Sequence, residues 1–191
     1  MKNLFALLLI LPLTVFSAPN SIIAIVNDSV ITLDSISDQI DEKTSLERKI
    51  ALIIWQIDIT LQKEKIHKLG IVPKKIAINR MLNRIAKQKG VSLTELKAIP
   101  EFDEINDIVV QNLALAGLRQ VVLEQAEFSA TQTEIDKVLA NNPKKETTTK
   151  QQHIANIKTQ IIRTKQDYYY RDWVRNMRDN AYIDVFENKF K

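Results

Sequence analysis

Strand periodicity appears at the two ends of this 191-residue chain, and helical periodicity fills the stretch between them. Ile22–Val26 and Ser29–Thr32 are short runs rich in isoleucine and valine, separated by Asn27-Asp28. Both turn residues tolerate the left-handed backbone that a two-residue hairpin needs. At the far end Asn180–Phe186 reads as another strand, with Tyr182, Asp184 and Phe186 alternating with Ala181, Ile183 and Val185. The pattern predicts a mainly α fold with a small antiparallel sheet, formed by an N-terminal β-hairpin and a C-terminal strand. That sheet would clasp a helical body.

Before the first strand, Met1-Lys2-Asn3 gives a short basic start and Leu4–Phe16 is an uncharged run of thirteen residues, followed by Ser17 and Ala18. This is the layout of a secretory signal peptide over residues 1–17. The run is short for a bilayer span, which takes about 20 residues, so an uncleaved anchor is the weaker reading. Cleavage after Ser17 fits better than cleavage after Ala18, which would leave Pro19 first. No later segment is long and apolar enough to cross a membrane, so no stable membrane span is expected.

Removing Lys2 from the 27 basic residues leaves 26 against 23 acidic ones. So even a balance gives no reason to expect nucleic acid as a partner. The chain has no cysteine. In an oxidising compartment this excludes disulfide bracing, thiol catalysis and thiolate metal sites together. The three glycines, Gly70, Gly90 and Gly117, are too scattered for a phosphate-cradling loop. Stability must come from an apolar core.

Helical patterns supply that core. Thr32 is expected to cap a short helix carrying Leu33, Ile36 and Ile40 on one face. Ser45–Leu69 is the strongest helical pattern, closed by Gly70 in the position a C-terminal glycine takes. Its residues form two apolar stripes: Leu46, Ile50, Ile53, Ile54, Ile57 and Leu61 on one face, and Leu52, Trp55, Ile59 and Ile66 nearly opposite. A helix apolar on two sides lies between partners, so this one is expected to be the spine. Pro73 is expected in the first turn of the next helix, which keeps Ile78, Met81, Leu82 and Ile85 in helical spacing up to Gly90. Capping boxes at Ser92–Glu95 and Thr131–Glu134 open two short helices. A long helix is expected from about Glu104 to Glu127, with Gly117 inside it marking a close contact with another helix. Asn141–Gln152 is polar, rich in threonine and contains Pro143, the pattern of a linker. The last helix is expected to begin near His153. Its apolar face turns from Ile154, Ile157 and Ile161 towards Tyr170, Trp173, Val174 and Met177, so it should meet two partners.

No reactive constellation emerges. His67 and His153 stand alone, without a second ligand one helical turn away, and read as solvated surface residues. Asp34 with Asp38, and Glu101 with Asp103 and Glu104, fall where helices begin and where negative charge is favoured. No serine has a neighbouring base. No metal or cofactor is expected, nor any enzymatic activity. Lys63, Lys65, Lys68, Lys74 and Lys75 form a basic run, read first as a solvated helix end and second as a partner site. Tyr168-Tyr169-Tyr170 cannot all face one core, so at least one ring is expected at the surface.

With these residues in place, the chain resembles the core module of the SurA family of periplasmic chaperones. The likeness runs from Ile22–Ile31 through Leu46–Ile50, Lys68–Ile71, Asn83–Gln88 and Ser92–Leu96. It returns at Trp173–Ile183, so it covers roughly residues 22–140 and 165–186. The resemblance implies a helical chaperone domain over residues 18–140, a linker over 141–152, and a C-terminal helix and strand over 153–191 that complete the same module. It implies an ATP-independent holding chaperone in the periplasm of a Gram-negative bacterium. Its clients would be unfolded outer-membrane proteins or aromatic-rich peptides, with the outer-membrane assembly machinery as a further partner. In that family one or two parvulin-type prolyl isomerase domains precede the C-terminal helix. Asn141–Gln152 is too short for one, so isomerase activity is not carried over. The candidate peptide-binding side chains are Trp55, Ile59, Met81, Ile85, Tyr169 and Trp173, with structural packing as the competing reading. The alternative function is a non-catalytic adaptor or subunit of an envelope assembly.

Overall fold

The computed structural model describes residues 21–142 and 149–189. The signal peptide expected over residues 1–17 lies outside the described residues, as does the middle of the expected linker, 143–148.

The two chain ends do meet. β1 (Ile22–Val26) and β2 (Ser29–Thr32) form the hairpin, and β3 (Ile183–Val185) pairs antiparallel with β1 on its other side. The sheet order is β2-β1-β3, so the N-terminal strand is central. Ala24 lies opposite Ile31 and Val185, and Val26 opposite Ser29 and Ile183. An irregularity between Ile22 and Ala24 breaks the period of two. This is why the consecutive residues Ile23 and Ala24 are both fully buried. Of the two turn residues only Asn27 adopts the left-handed backbone, at φ 49°.

Seven α-helices are described. α1 (Asp34–Ser37) is a single turn, and Leu33 rather than Thr32 occupies its N-cap, without a side-chain cap. α2 (Leu46–Leu69) begins at Ser45, whose side chain accepts from the Arg48 N–H, and ends at Gly70 with φ 62°. There the Ile71 N–H reaches back 3.1 Å to the Ile66 carbonyl, a closure only a left-handed residue permits. α3 (Lys75–Gln88) starts later than expected: Pro73 lies before its N-cap, Lys74, outside the first turn. α4 (Leu93–Ala98) and α6 (Gln132–Asn141) open on the two expected capping boxes. α5 runs over Phe102–Leu123, earlier at both ends than expected. α7 (Lys150–Asp179) begins before His153, because Thr149 and Gln152 form a third capping box within the polar stretch.

Three apolar clusters hold these elements together. The first joins the sheet, Ile36 and the α2 side chains Leu52, Ile53, Ile57 and Leu61, with Met177, Ala181 and Ile183 packed against it from the C-terminal end. Leu52 thus belongs to the sheet-facing core and not to the opposite stripe. The second cluster joins α3, α4 and α5 around Leu82, Ala86, Leu96 and Val109. The third joins α6 to the start of α7 through Ile135, Ile157 and Ile161. Each fully buried isoleucine or leucine contributes about 1.5–3 kcal/mol relative to exposure. α2 touches both hairpin strands, α1, α5 and α7, and is the spine its two stripes indicate. α7 meets α6 early and α2 and α5 later, as the turning of its apolar face requires.

Gly117 lies within α5 where the turn after α2 comes closest. A Cβ placed there would stand 3.1 Å from Cγ2 of Ile71. The glycine therefore marks a close approach, made by a turn residue and not by a helix.

Candidate apolar clefts around the spine helix

Two of the clefts that open beside α2 take apolar residues from its second stripe, Trp55 and Ile59 in one and Ile66 in the other. The first lies between α2 and α7, has a volume of about 310 Å³, and is lined by Trp55, Asp58, Ile59 and Gln62 from α2 and by Tyr170 and Val174 from α7. Arg171, Arg175 and Arg178 stand around it. Trp55 is 50% exposed, so its ring forms part of the cleft wall instead of filling a core. The second lies between the C-terminal half of α2, the turn at 70–72 and α5, with a volume of about 510 Å³. Ile66, Ile71, Val72, Val110 and Ala114 give it an apolar lining, and Lys63, His67, Asp107 and Gln111 its polar edge. A third, of about 560 Å³, runs between the end of α5, Phe128 and α7 and includes Leu123, Ala126 and Ile162. All three fall in the range of about 300–1,000 Å³ typical of ligand sites.

Polar groups fix the floor of the first cleft. One Arg178 nitrogen, Nη1, donates to both carboxylate oxygens of Asp58, at 2.8 and 2.9 Å. Burial pushes the Asp58 carboxyl above its ordinary value, and the Arg178 guanidinium pulls it back down. Gln62 is buried and hydrogen-bonded at both ends of its amide: its Nε2 donates to the Asp58 carbonyl and its Oε1 accepts from the Tyr170 hydroxyl at 2.7 Å. Burial also pushes the Tyr170 hydroxyl up, against the pull of the Arg119 guanidinium over its ring. Among the described residues no group of three or more His, Asp or Glu side chains is placed to hold a metal ion.

The six side chains singled out from the sequence are not brought together. Trp55 and Ile59 share the α2/α7 cleft. Trp173 stacks on Tyr170 at 5.7 Å and 18°, supporting the cleft wall. Tyr169 makes an edge-to-face contact with Phe128 at 5.5 Å, beside the third cleft. Met81 and Ile85 pack in the cluster of α3, α4 and α5. Of the three tyrosines, Tyr168 is the most exposed, at 58%, with Arg171 over its ring. His153 is only partly exposed, and its Nε2 lies 2.9 Å from the Asn142 carbonyl. It tethers the start of α7 to the end of α6 and is not a freely solvated histidine. Sequence reasoning missed Gln62 and Val174 as cleft residues, and all of the α2/α5 cleft except Ile66 of the second stripe. The signal for the latter was Ile71-Val72, an apolar pair held in a turn between Gly70 and Pro73.

No protein-family model matches the chain, and no curated protein matches it in sequence. Its fold is that of SurA-like chaperones. A solved structure from work on two such proteins of Campylobacter jejuni, the virulence factor PEB4 and the periplasmic protein Cj1289, superposes with a TM-score of 0.60. The match covers 87% of this chain and 99% of that one at 12% identity, so the likeness is one of fold.

Proposed function

We propose that this protein is an ATP-independent holding chaperone of the SurA family, exported to the periplasm, that binds unfolded outer-membrane-protein segments and has no prolyl isomerase activity. The carrying observation is the pair of apolar clefts flanking α2 within a SurA-like fold. The clefts are too small for a folded partner and large enough for one or two client side chains each. Residues 18–140 and 153–191 then act as one module.

The magnitudes favour weak, reversible holding. Burying three client side chains yields about 5–9 kcal/mol gross, at roughly 1.5–3 each. Association and ordering cost about 4–15 kcal/mol and consume much of this. Release therefore needs no ATP.

Client breadth tests the proposal. Aggregation of several unrelated unfolded outer-membrane proteins should be suppressed at near-stoichiometric protein, with no acceleration of proline isomerisation in a model peptide. Tight, saturable binding of one folded partner without such suppression would assign the adaptor role instead. Measurable isomerase turnover would overturn the non-enzymatic reading.

A further inference from the structure

The corner that joins α2 to α3 carries the two most exposed aliphatic side chains among the described residues, Val72 at 81% and Ile76 at 68%, together with Leu69 at 46%. These three lie within eight consecutive residues. Single exposed apolar residues are ordinary on a protein surface; a cluster of this kind is not. Val72 edges the α2/α5 cleft, whereas Leu69 and Ile76 line neither that cleft nor the other two and stand out from the surface.

The same corner is basic. Lys63, Lys65, Lys68, Lys74 and Lys75 lie within thirteen residues, and none forms a salt bridge with a described residue. The acidic residue within the run, Glu64, is turned to the hairpin, where its oxygens accept from Asn27 and Ser29 at 2.8 and 2.9 Å. Asp107 in the adjoining cleft is the nearby acidic side chain that stays open.

We propose that this corner docks on the surface of an anionic phospholipid bilayer, with Leu69, Val72 and Ile76 entering the headgroup–acyl boundary and the lysines meeting lipid phosphates. Exposed aliphatic groups within a run of lysines that has a single, already hydrogen-bonded acidic residue match such a surface in charge and in apolar character. An unfolded polypeptide would be held better by a concave cleft. The contact is interfacial, since no helix of the described residues is long and apolar enough to cross a membrane. It leaves the α2/α7 cleft free and meets the α2/α5 cleft only at its edge, through Val72 and Lys63; the aggregation assay that tests holding contains no lipid, so the two readings fail separately.

The absence of cysteine makes a direct test simple. The full chain carrying Val72→Cys, labelled with an environment-sensitive dye, is mixed with vesicles of phosphatidylglycerol and phosphatidylcholine, or of phosphatidylcholine alone. The label should shift to the blue on the anionic vesicles and not on the neutral ones, with the response falling at least fivefold as salt rises from 50 to about 500 mM. Lys74→Glu with Lys75→Glu should weaken the response at least fivefold, and a label at Thr133→Cys on exposed α6 should stay silent. Should the charge-reversed chain fail to fold, the salt series on the singly labelled chain carries the test. No shift on anionic vesicles, or an equal shift on neutral ones, overturns the proposal. So does an equal response from both labels, which would point to the apolar run at 4–16. A response only to an added unfolded acidic polypeptide also overturns it, and assigns the corner to a protein partner.

Discussion

Asn27 ties three elements with one side chain. Its Oδ1 accepts from the Tyr182 N–H at 3.1 Å, its Nδ2 donates to Glu64 on α2, and its backbone N–H donates to the Tyr182 carbonyl at 2.9 Å. It also holds φ at 49°, which asparagine tolerates and alanine does not. Asn27→Ala should therefore cost about 3–4 kcal/mol, combining backbone strain of about 1–2 kcal/mol with two lost hydrogen bonds of about 1 kcal/mol each. Asn27→Gly relieves the strain and should cost about half as much. Denaturant midpoints of the two variants separate the contributions, and equal losses would contradict this partition. Glu134 makes a second residue-level claim. Its hydrogen bond with Lys165, with help from the Thr131 backbone and hydroxyl, lowers its carboxyl from 4.5 to about 2. A lowered folded value means that its stabilising effect is present above pH 4.5 and lost as the pH falls towards 2. Hydrogen exchange should show protection in α6 falling across that window. In Glu134→Gln the weaker protection should already be present at pH 5, without the acid step.

Gly117 links an element boundary to a cleft. Gly117→Ala gains about 1 kcal/mol of helix propensity and brings a Cβ to 3.1 Å from the Ile71 side chain. Ile71 sits in a turn and can give by a few tenths of an ångström, so stability should stay within about 1 kcal/mol of the parent. Gly117→Leu must displace the turn, costing about 1–3 kcal/mol and narrowing the α2/α5 cleft that Ile71 lines. Thermal unfolding and client binding should both register the difference between the two. The same elements show what the sequence makes legible. α2 was bounded correctly because Ser45 and Gly70 are local signals acting within four residues of the helix ends. The start of α7 was missed because its capping box lies in a threonine-rich, polar stretch, where the apolar periodicity has not yet begun. The close approach at Gly117 was legible as an interruption of α5, but its partner was not, since nothing local marks Ile71 as its neighbour.

Across the molecule, the first and last strands staple a helical body, and this much could be read from alternation at the two ends. Truncation after Tyr182 removes β3, its ladder to β1 and the Ile183 contact with the first core. At about 1 kcal/mol per ladder bond, with part of an isoleucine burial added, the loss should exceed about 2 kcal/mol. The denaturation midpoint should move accordingly, and an unchanged midpoint would remove the staple from the account. The clefts were less legible. Trp55 and Ile59 were found because a second stripe on α2 had no local reason to exist, whereas Gln62 and Val174 join them only through the packing of α7 on α2. Met81 and Ile85 have the same sequence character as the cleft residues and yet pack against α4 and α5.

The most direct measurement is photocrosslinking of a bound, unfolded outer-membrane protein from a reactive side chain placed at Trp55 in the α2/α7 cleft and at Val110 in the α2/α5 cleft, with Thr133 as the exposed control. Client adducts are expected at 55 or 110, fading when unlabelled client is added, and none at 133. Suppressed aggregation with no adduct at either cleft, or with equal labelling at all three positions, would contradict it.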